Sequence, residues 1–255
     1  MKETTRTAVD AARRAGRVLV EGFGGPLDAS MKGPREVVTA MDRASEDVIV
    51  GAVRGAYPDA AIVAEEGSPA PARGAMVWII DPLDGTNNYA HGFPFFSVAI
   101  AVEEGGRLTT GVVYDPLRDE LFVGEAGAGA TLNGAAIRVS QADRLSDSLV
   151  ATGFPYDRGE STENNLANLN RFILAVRGIR RAGSAELDLC YVACGRLDGF
   201  WELGLKTWDV SAGGLIVREA SGVVTNFGTA GWDHRRGDVV ASNGRIHDEM
   251  QAFIR

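Results

Sequence analysis

The sequence is poor in the side chains that carry covalent and redox chemistry, with two cysteines and three histidines among 255 residues. Cys190 and Cys194 lie in one helical-looking segment, so they read as small packing residues and not as a disulfide framework. None of His91, His234 and His247 stands in the setting of a nucleophile and its base, which argues against Ser-His-Asp catalysis. All three read as polar surface or loop residues. There is no Gly-x-x-x-x-Gly-Lys-Ser/Thr loop for nucleoside triphosphates, and Gly127-Ala128-Gly129 has Leu132 where a dinucleotide loop needs its third glycine. Long apolar runs are missing as well. The opening MKETTRTAVDAARRAG has no signal-peptide core, and no stretch approaches the roughly 18 apolar residues that cross a bilayer, so a soluble cytoplasmic protein is expected. Positive charge is also in deficit. A formal net charge of -8 argues against a broad nucleic-acid footprint and makes Arg177, Arg180, Arg181, Arg235 and Arg236 read as a solvated face.

What is present is a large apolar content, 45% of residues, enough for one large core or two closely packed subdomains. Helical spacing of Ala8, Ala11, Ala15, Val18 and Leu19 predicts a first helix from about Thr4 to Phe23. Met41, Ala44, Val48, Ile49 and Val53 predict a second from Thr39 to Ala56. The polar segment Ser30 to Glu36 between them reads as a hairpin or mobile loop. Ser97 to Val102, Thr109 to Tyr114 and Leu121 to Gly124 predict an antiparallel meander, and Asn133-Gly134 a further hairpin. Beyond about residue 148 strand and helix alternate through Leu149–Thr152, 164–177, Ile179, 184–195, Phe200–Glu202, 208–220 and Val223–Val224. A boundary near 145 has no flexible linker, so residues 1–145 and 146–255 are expected to pack as one unit.

The richest chemistry lies in Trp78-Ile79-Ile80-Asp81-Pro82-Leu83-Asp84-Gly85-Thr86. An apolar strand runs into Pro82, so a sharp turn after Asp81 is expected. Asp81 and Asp84 would then offer oxygen ligands to a hard cation, and the backbone after Gly85 would offer free N–H donors to a phosphate. An ordinary solvent-exposed turn has the same composition. Two further acidic elements weigh against it. Glu65 and Glu66 end the strand Ala61 to Ala64, ahead of a Pro-, Ala- and Gly-rich loop from Gly67 to Gly74, and Asp209 precedes a Gly/Ala-rich helix that it could cap. Three carboxylate clusters far apart in sequence read together as one metal site.

These blocks carry a resemblance. Ala64-Glu65-Glu66, then Trp78 through Thr86-Asn87-Asn88-Tyr89, then Trp208-Asp209-Val210-Ser211-Ala212-Gly213 resemble the inositol monophosphatases, in the superfamily that holds fructose-1,6-bisphosphatases and 3'-phosphoadenosine phosphatases. The likeness runs over nearly the whole chain, from Lys32 and Val38-Thr39-Ala40-Met41-Asp42 through Gly183-Ser184-Ala185 to the end. It implies an α+β fold, a layered α-β-α-β-α sandwich of the sugar phosphatase type, with an N-terminal α+β half on a C-terminal α/β half. It implies Mg2+, two or three ions with Mn2+ possible, held by Glu65, Asp81, Asp84, Asp209 and the main-chain carbonyl of Leu83. Glu65, Thr86 and Asp81 would be catalytic, with Thr86 and Glu65 orienting the attacking water. Gly85 and Thr86 would bind phosphate. Gly183, Ser184, Ala185 and Glu202, with Asp84 and Asp209, would meet the alcohol, and Lys32 would lie in a loop closing over the metals. The implied activity is hydrolysis of a small phosphate monoester, inositol 1-phosphate first, by a homodimer. Fructose 1,6-bisphosphate and histidinol phosphate are the alternative substrates. A partner-binding protein with secondary phosphatase activity is the alternative role, because some bacterial relatives bind the transcription machinery.

Overall fold

The computed structural model describes residues 1–25, 29–33, 35–67 and 75–254. The loop expected from Gly67 to Gly74 lies outside them beyond Gly67, as does Pro34 in the polar segment before the second helix. Helix α1 (Glu3–Gly22) presents Ala8, Ala11, Ala12, Ala15 and Leu19 as a fully buried stripe. A short hairpin follows, β1 (Ala29–Met31) antiparallel to β2 (Val37–Thr39), and then α2 (Ala40–Ala56). Thr39 and Asp42 close the start of α2 as a capping box, each side chain taking up the other's backbone end of the turn.

The first sheet has seven strands in sequence order: β3 (Ala61–Ala64), β4 (Met76–Asp84), β5 (Ser97–Glu104), β6 (Arg107–Asp115), β7 (Glu120–Glu125), β8 (Gly129–Leu132) and β9 (Ala135–Ala136). Helix α3 (Thr86–Ala90) interrupts the chain between β4 and β5. β3 runs parallel to β4, and the rest is the antiparallel meander that the sequence predicts. Asn133 (φ 49°) and Gly134 (φ 81°) form its last turn, both in the left-handed region that a tight hairpin needs.

The second sheet alternates with helices: β10 (Leu149–Thr152), α4 (Leu166–Ala175), β11 (Gly178–Arg180), α5 (Ala185–Ala193), β12 (Gly199–Leu203), α6 (Ser211–Glu219), β13 (Val223–Thr225), β14 (Asp238–Ser242) and α7 (His247–Phe253). Its order is β11-β10-β12-β14-β13. β10 is parallel to β11 and β12, whereas β14 enters antiparallel to β12 and β13, so the sheet is mixed.

Three apolar clusters hold these layers together. One joins α1 and α2 to the outer face of the first sheet through Leu19, Ile49, Trp78 and Phe96. A second lies between the sheets around α5 and α6, with Leu187, Cys190, Ile216 and Phe200. The third packs the far face of the second sheet on α4 and α7 through Phe172, Trp201 and Met250. The result is the α-β-α-β-α sandwich, an α+β fold. Among the described residues no helix is long and apolar enough to cross a membrane.

A carboxylate-lined cleft as the candidate active site

β4 does not turn after Asp81. It continues to Asp84 beside β5, with Asp81 opposite Ala99 and Asp84 opposite Ser97, so Pro82 and Leu83 face one residue of β5. This is a bulge, a place where a strand tolerates a proline without an N–H. β3 ends opposite Ile80, and Pro82 therefore interrupts no ladder on that side. The bulge is fixed locally: Leu83 N–H donates to Asp81 Oδ1 (3.0 Å), and Ser45 of α2 donates to the Pro82 carbonyl (2.6 Å). Gly85 follows at φ +98°, where a Cβ would also stand 3.0 Å from the Phe95 carbonyl oxygen. Backbone crowding alone demands glycine here.

Thr86, buried at the start of α3, joins this bulge to the cap of α2. Its hydroxyl has two acceptors, Asp42 Oδ1 at 2.9 Å and the Leu83 carbonyl at 3.0 Å. With one hydrogen to give, the oxygen keeps its lone pairs for a further partner. Asp42 is fully buried, and its second oxygen accepts from Thr39 N–H (2.7 Å) and Thr39 Oγ1 (2.6 Å). Burial pushes the Asp42 carboxyl up, while the bonds from Thr39 and Thr86 pull it down.

Asp84 ties the two sheets together. Its carboxylate accepts from Ala185 N–H (3.2 Å), Glu186 N–H (2.9 Å), Ser184 Oγ (2.5 Å) and Ser97 Oγ (3.3 Å), and so serves the open end of α5. Burial raises it to about 6 in spite of those bonds. Glu186, fully buried, repeats the device one helix further on, accepting from Ala212 N–H (3.1 Å) and from Gly213 N–H at the start of α6.

Asp209 does not cap the helix that follows it. Instead the segment read as one helix from Trp208 divides into a 3-10 turn, Thr207–Asp209, and α6 from Ser211. Asp209 Oδ2 accepts from Lys206 N–H (2.7 Å) and closes that turn. His234 braces it from behind, with Nδ1 at 2.6 Å from Thr207 Oγ1 and 2.9 Å from Ser211 Oγ, and Nε2 at 3.2 Å from Glu103. His234 and His247 are thus not surface residues; they are 8% and 6% exposed, and His247 bonds Thr225 and Ser242.

Glu65 stands just beyond β3. Burial lifts it to about 7, with Glu66 and Asp42 adding to the rise and Lys32 opposing it. Lys32 Nζ lies 3.1 Å from Glu65 Oε1 and also pairs with Glu66, so the loop lysine sits on this carboxylate. Asp81 is driven well above the usual carboxylate range by burial and then by the charges of Glu65, Asp84 and Asp209. Asp209 is driven up by burial and by Glu65, Asp84 and Glu202. These acids share one field. Among the described residues, however, no three carboxylate, imidazole or thiol groups already form a ready-made metal cluster. The fit to a hard cation rests on donor chemistry: oxygen atoms only, buried at Asp81 and Asp84 and half-buried at Glu65 and Asp209, and mutually repelling.

Glu65, Asp81, Leu83, Asp84, Gly85 and Thr86 line one wall of a cleft of about 370 Å³, with Trp208 and Asp209 beside them. The model of the Inositol monophosphatase family matches residues 1–254. The chain belongs to the inositol monophosphatase family. It is 43% identical to the Nus factor SuhB of Haemophilus influenzae over 100% of this chain and 97% of that protein. Among solved structures, an inositol monophosphatase from Anabaena is 42% identical with a TM-score of 0.89, covering 98% of this chain and 94% of that one. The extragenic suppressor protein suhB from Bartonella henselae is 42% identical with a TM-score of 0.93, covering 99% and 98%.

The residues expected to meet the alcohol do not all line the cleft. Gly183 and Ala185 lie on its wall, as does Glu202 of β12. Ser184 does not: it is 1% exposed, and its hydroxyl donates to Asp84 while accepting from Leu187 N–H (3.3 Å). Four lining or supporting residues escape the sequence reading as site residues. Asp42 enters it only within the block Val38 to Asp42, with no role attached. Gly153 stands where a Cβ would lie 2.0 Å from Glu202 Oε1, and so admits that side chain. Asp188 is hidden in the apolar run of α5. Tyr156, exposed at the mouth, is held by Arg35, which donates to its carbonyl (3.1 Å) from across the cleft. Burial and the charges of Asp209, Glu65 and Asp84 push the Tyr156 phenol up.

Proposed function

We propose that this protein is a Mg2+-dependent phosphomonoester hydrolase acting first on inositol 1-phosphate, with water attacking phosphorus in line with the leaving oxygen. The observation that carries the reading is the Thr86 hydroxyl, its hydrogen committed to Asp42 Oδ1 (2.9 Å) or the Leu83 carbonyl (3.0 Å), in a cleft walled by carboxylates. Glu65, Asp81, Asp84, Asp209 and the Leu83 carbonyl are the groups that would hold two or three Mg2+ ions, or Mn2+. Such ions, when bound, neutralise the phosphate, lower the pKa of water and offset charge on the departing oxygen.

The chain's own groups do the positioning. Thr86 Oγ1 can only accept from the attacking water, and Glu65 is a second acceptor, so the water is held by its hydrogens with a lone pair free for phosphorus. As the new P–O bond forms, the water proton passes to Thr86 while the Thr86 proton passes to Asp42. Gly85 and Thr86 begin α3, where a helix leaves N–H groups without internal acceptors, and these receive phosphate oxygens. Glu202, Gly183 and Ala185 meet the alcohol, and Ser184 acts on it through Asp84.

The substrate is tested with a panel of inositol 1-phosphate, fructose 1,6-bisphosphate and histidinol phosphate. The highest kcat/KM is expected for inositol 1-phosphate; a higher value for histidinol phosphate overturns that choice. By resemblance the working form is a cytoplasmic homodimer. Full-length likeness to relatives named Nus factor supports a second reading, in which binding a macromolecular partner is the main role. Thr86→Ala separates the two, since it removes the proposed water contact without touching the α5 cap that Asp84 provides. Loss of phosphate release with every cellular role intact would favour the binding reading.

A further inference from the structure

Two acids in the deep end of the cleft differ from all the others. Asp42, Asp84 and Glu186 each accept at least two hydrogen bonds from the protein. Asp188 is 2% exposed and lines the cleft, yet among the described residues its carboxylate has no hydrogen-bond or ion-pair partner. Glu202, on the facing strand β12, likewise has none. An enclosed carboxyl group without a protein partner is a rare arrangement, and where it faces a cavity the partner is water or a ligand that displaces it.

The surroundings narrow the ligand's chemistry. Asp188 lies one turn into α5, below Gly183 and Ala185, which flank the cap of that helix. Burial pushes Asp188 well up and Glu202 to about 8, the charge of Glu202 adding to the rise at Asp188. Glu202 can therefore donate as well as accept near neutrality, and Asp188 accepts from a hydroxyl in either protonation state, a pairing that alcohol hydroxyls match. The guanidinium of Arg181, also on the cleft wall, opposes the rise at both acids, and its charge disfavours a cationic amine in the same place.

We propose that Asp188 is a specificity-determining residue that, with Glu202, hydrogen-bonds hydroxyl groups of the substrate's alcohol, so that the cleft selects polyhydroxylated leaving groups over aryl or simple alkyl ones. This deepens the phosphomonoesterase reading and rests on it.

The test compares inositol 1-phosphate with p-nitrophenyl phosphate, which has no hydroxyl on its leaving group, in wild type, Asp188→Asn and Asp188→Ala. Loss of one good hydrogen bond corresponds to about tenfold in affinity. Asp188→Ala is expected to lose at least that much more kcat/KM on inositol 1-phosphate than on the aryl ester, chiefly through KM. Asp188→Asn, which keeps a donor and an acceptor, recovers part of it. Equal losses on both esters, or none on inositol 1-phosphate, overturn the inference. Calorimetric affinities for inositol 1-phosphate and for inorganic phosphate apply the same criterion without turnover. A wild-type protein that binds inositol 1-phosphate through Asp188 but hydrolyses neither ester removes the phosphatase reading and leaves Asp188 in its place.

Discussion

Thr86 Oγ1 stands 2.9 Å from Asp42 Oδ1, and this contact joins the cap of one helix to the start of another across 44 residues of chain. Because the other Asp42 oxygen is fixed by Thr39, the carboxylate cannot turn away from Thr86. We predict that Thr86→Ala and Asp42→Asn each lower kcat by about 10²–10⁴, the usual range for losing a general acid–base contact. The double variant should lose little more, since groups acting as a unit are not additive. Steady-state kinetics decide; full activity in either single variant, or strictly multiplied losses, count against a Thr86–Asp42 relay.

Crowded carboxylates predict how the protein answers to Mg2+. Asp81 is raised in part by the charge of Asp209, so removing that charge relieves repulsion. Asp209→Asn can still accept from Lys206 N–H, and it should melt a few degrees above wild type in EDTA while losing most of the Mg2+-induced rise in Tm. Thermal melts with chelator and with saturating Mg2+ check this. A wild-type Tm that Mg2+ leaves unmoved would contradict the shared site.

Glu202 gives a pH dependence with a definite sign. Its folded pKa is raised from 4.5 to about 8, chiefly by burial, so between those values the folded chain keeps a proton that the unfolded chain has lost. Its contribution to stability is therefore most favourable at the acid end of that window, declines as pH rises through it, and is fully lost above the folded pKa. Glu202→Gln should flatten the fall in Tm of metal-free protein between about pH 5 and about pH 8.5. An equally steep fall in the variant would show that Glu202 titrates normally.

Gly153 should matter through Glu202 alone. A Cβ at this position would lie 2.0 Å from Oε1, the mobile end of a side chain, so Gly153→Ala can be accommodated by swinging Glu202 aside. The expected cost in Tm is small, about 2–4 °C for a domain of this size. The kcat/KM for inositol 1-phosphate should fall as far as it does in Glu202→Gln, and normal turnover would show that Glu202 has no part in binding.

Elements whose causes are local were legible in the sequence. The apolar stripe of α1, the Asn133-Gly134 turn and the meander of β5 to β8 follow from periodicity and turn chemistry, and the structure keeps them. Where a distant partner decides, the reading failed. Pro82 looked like a stop, but a bulge against β5 absorbs it. The helix drawn from Trp208 breaks because Asp209 closes its own turn and His234 holds Thr207 and Ser211. β14, a short strand after polar residues, gave no periodic signal strong enough to mark it. The metal-ligand candidates could be named from their motifs, whereas Asp188, one acid in the mostly apolar helix α5, carries no local signal, since Glu202 faces the same cleft from β12.

The proposed hydrolysis depends on the acidic cleft. The most direct measurement is phosphate release from inositol 1-phosphate as Mg2+ is titrated against EDTA, in wild type and Asp81→Asn. Release that appears with Mg2+, vanishes with chelator and is absent from Asp81→Asn is the predicted result. Release that persists in EDTA, or none at saturating Mg2+, would contradict the account.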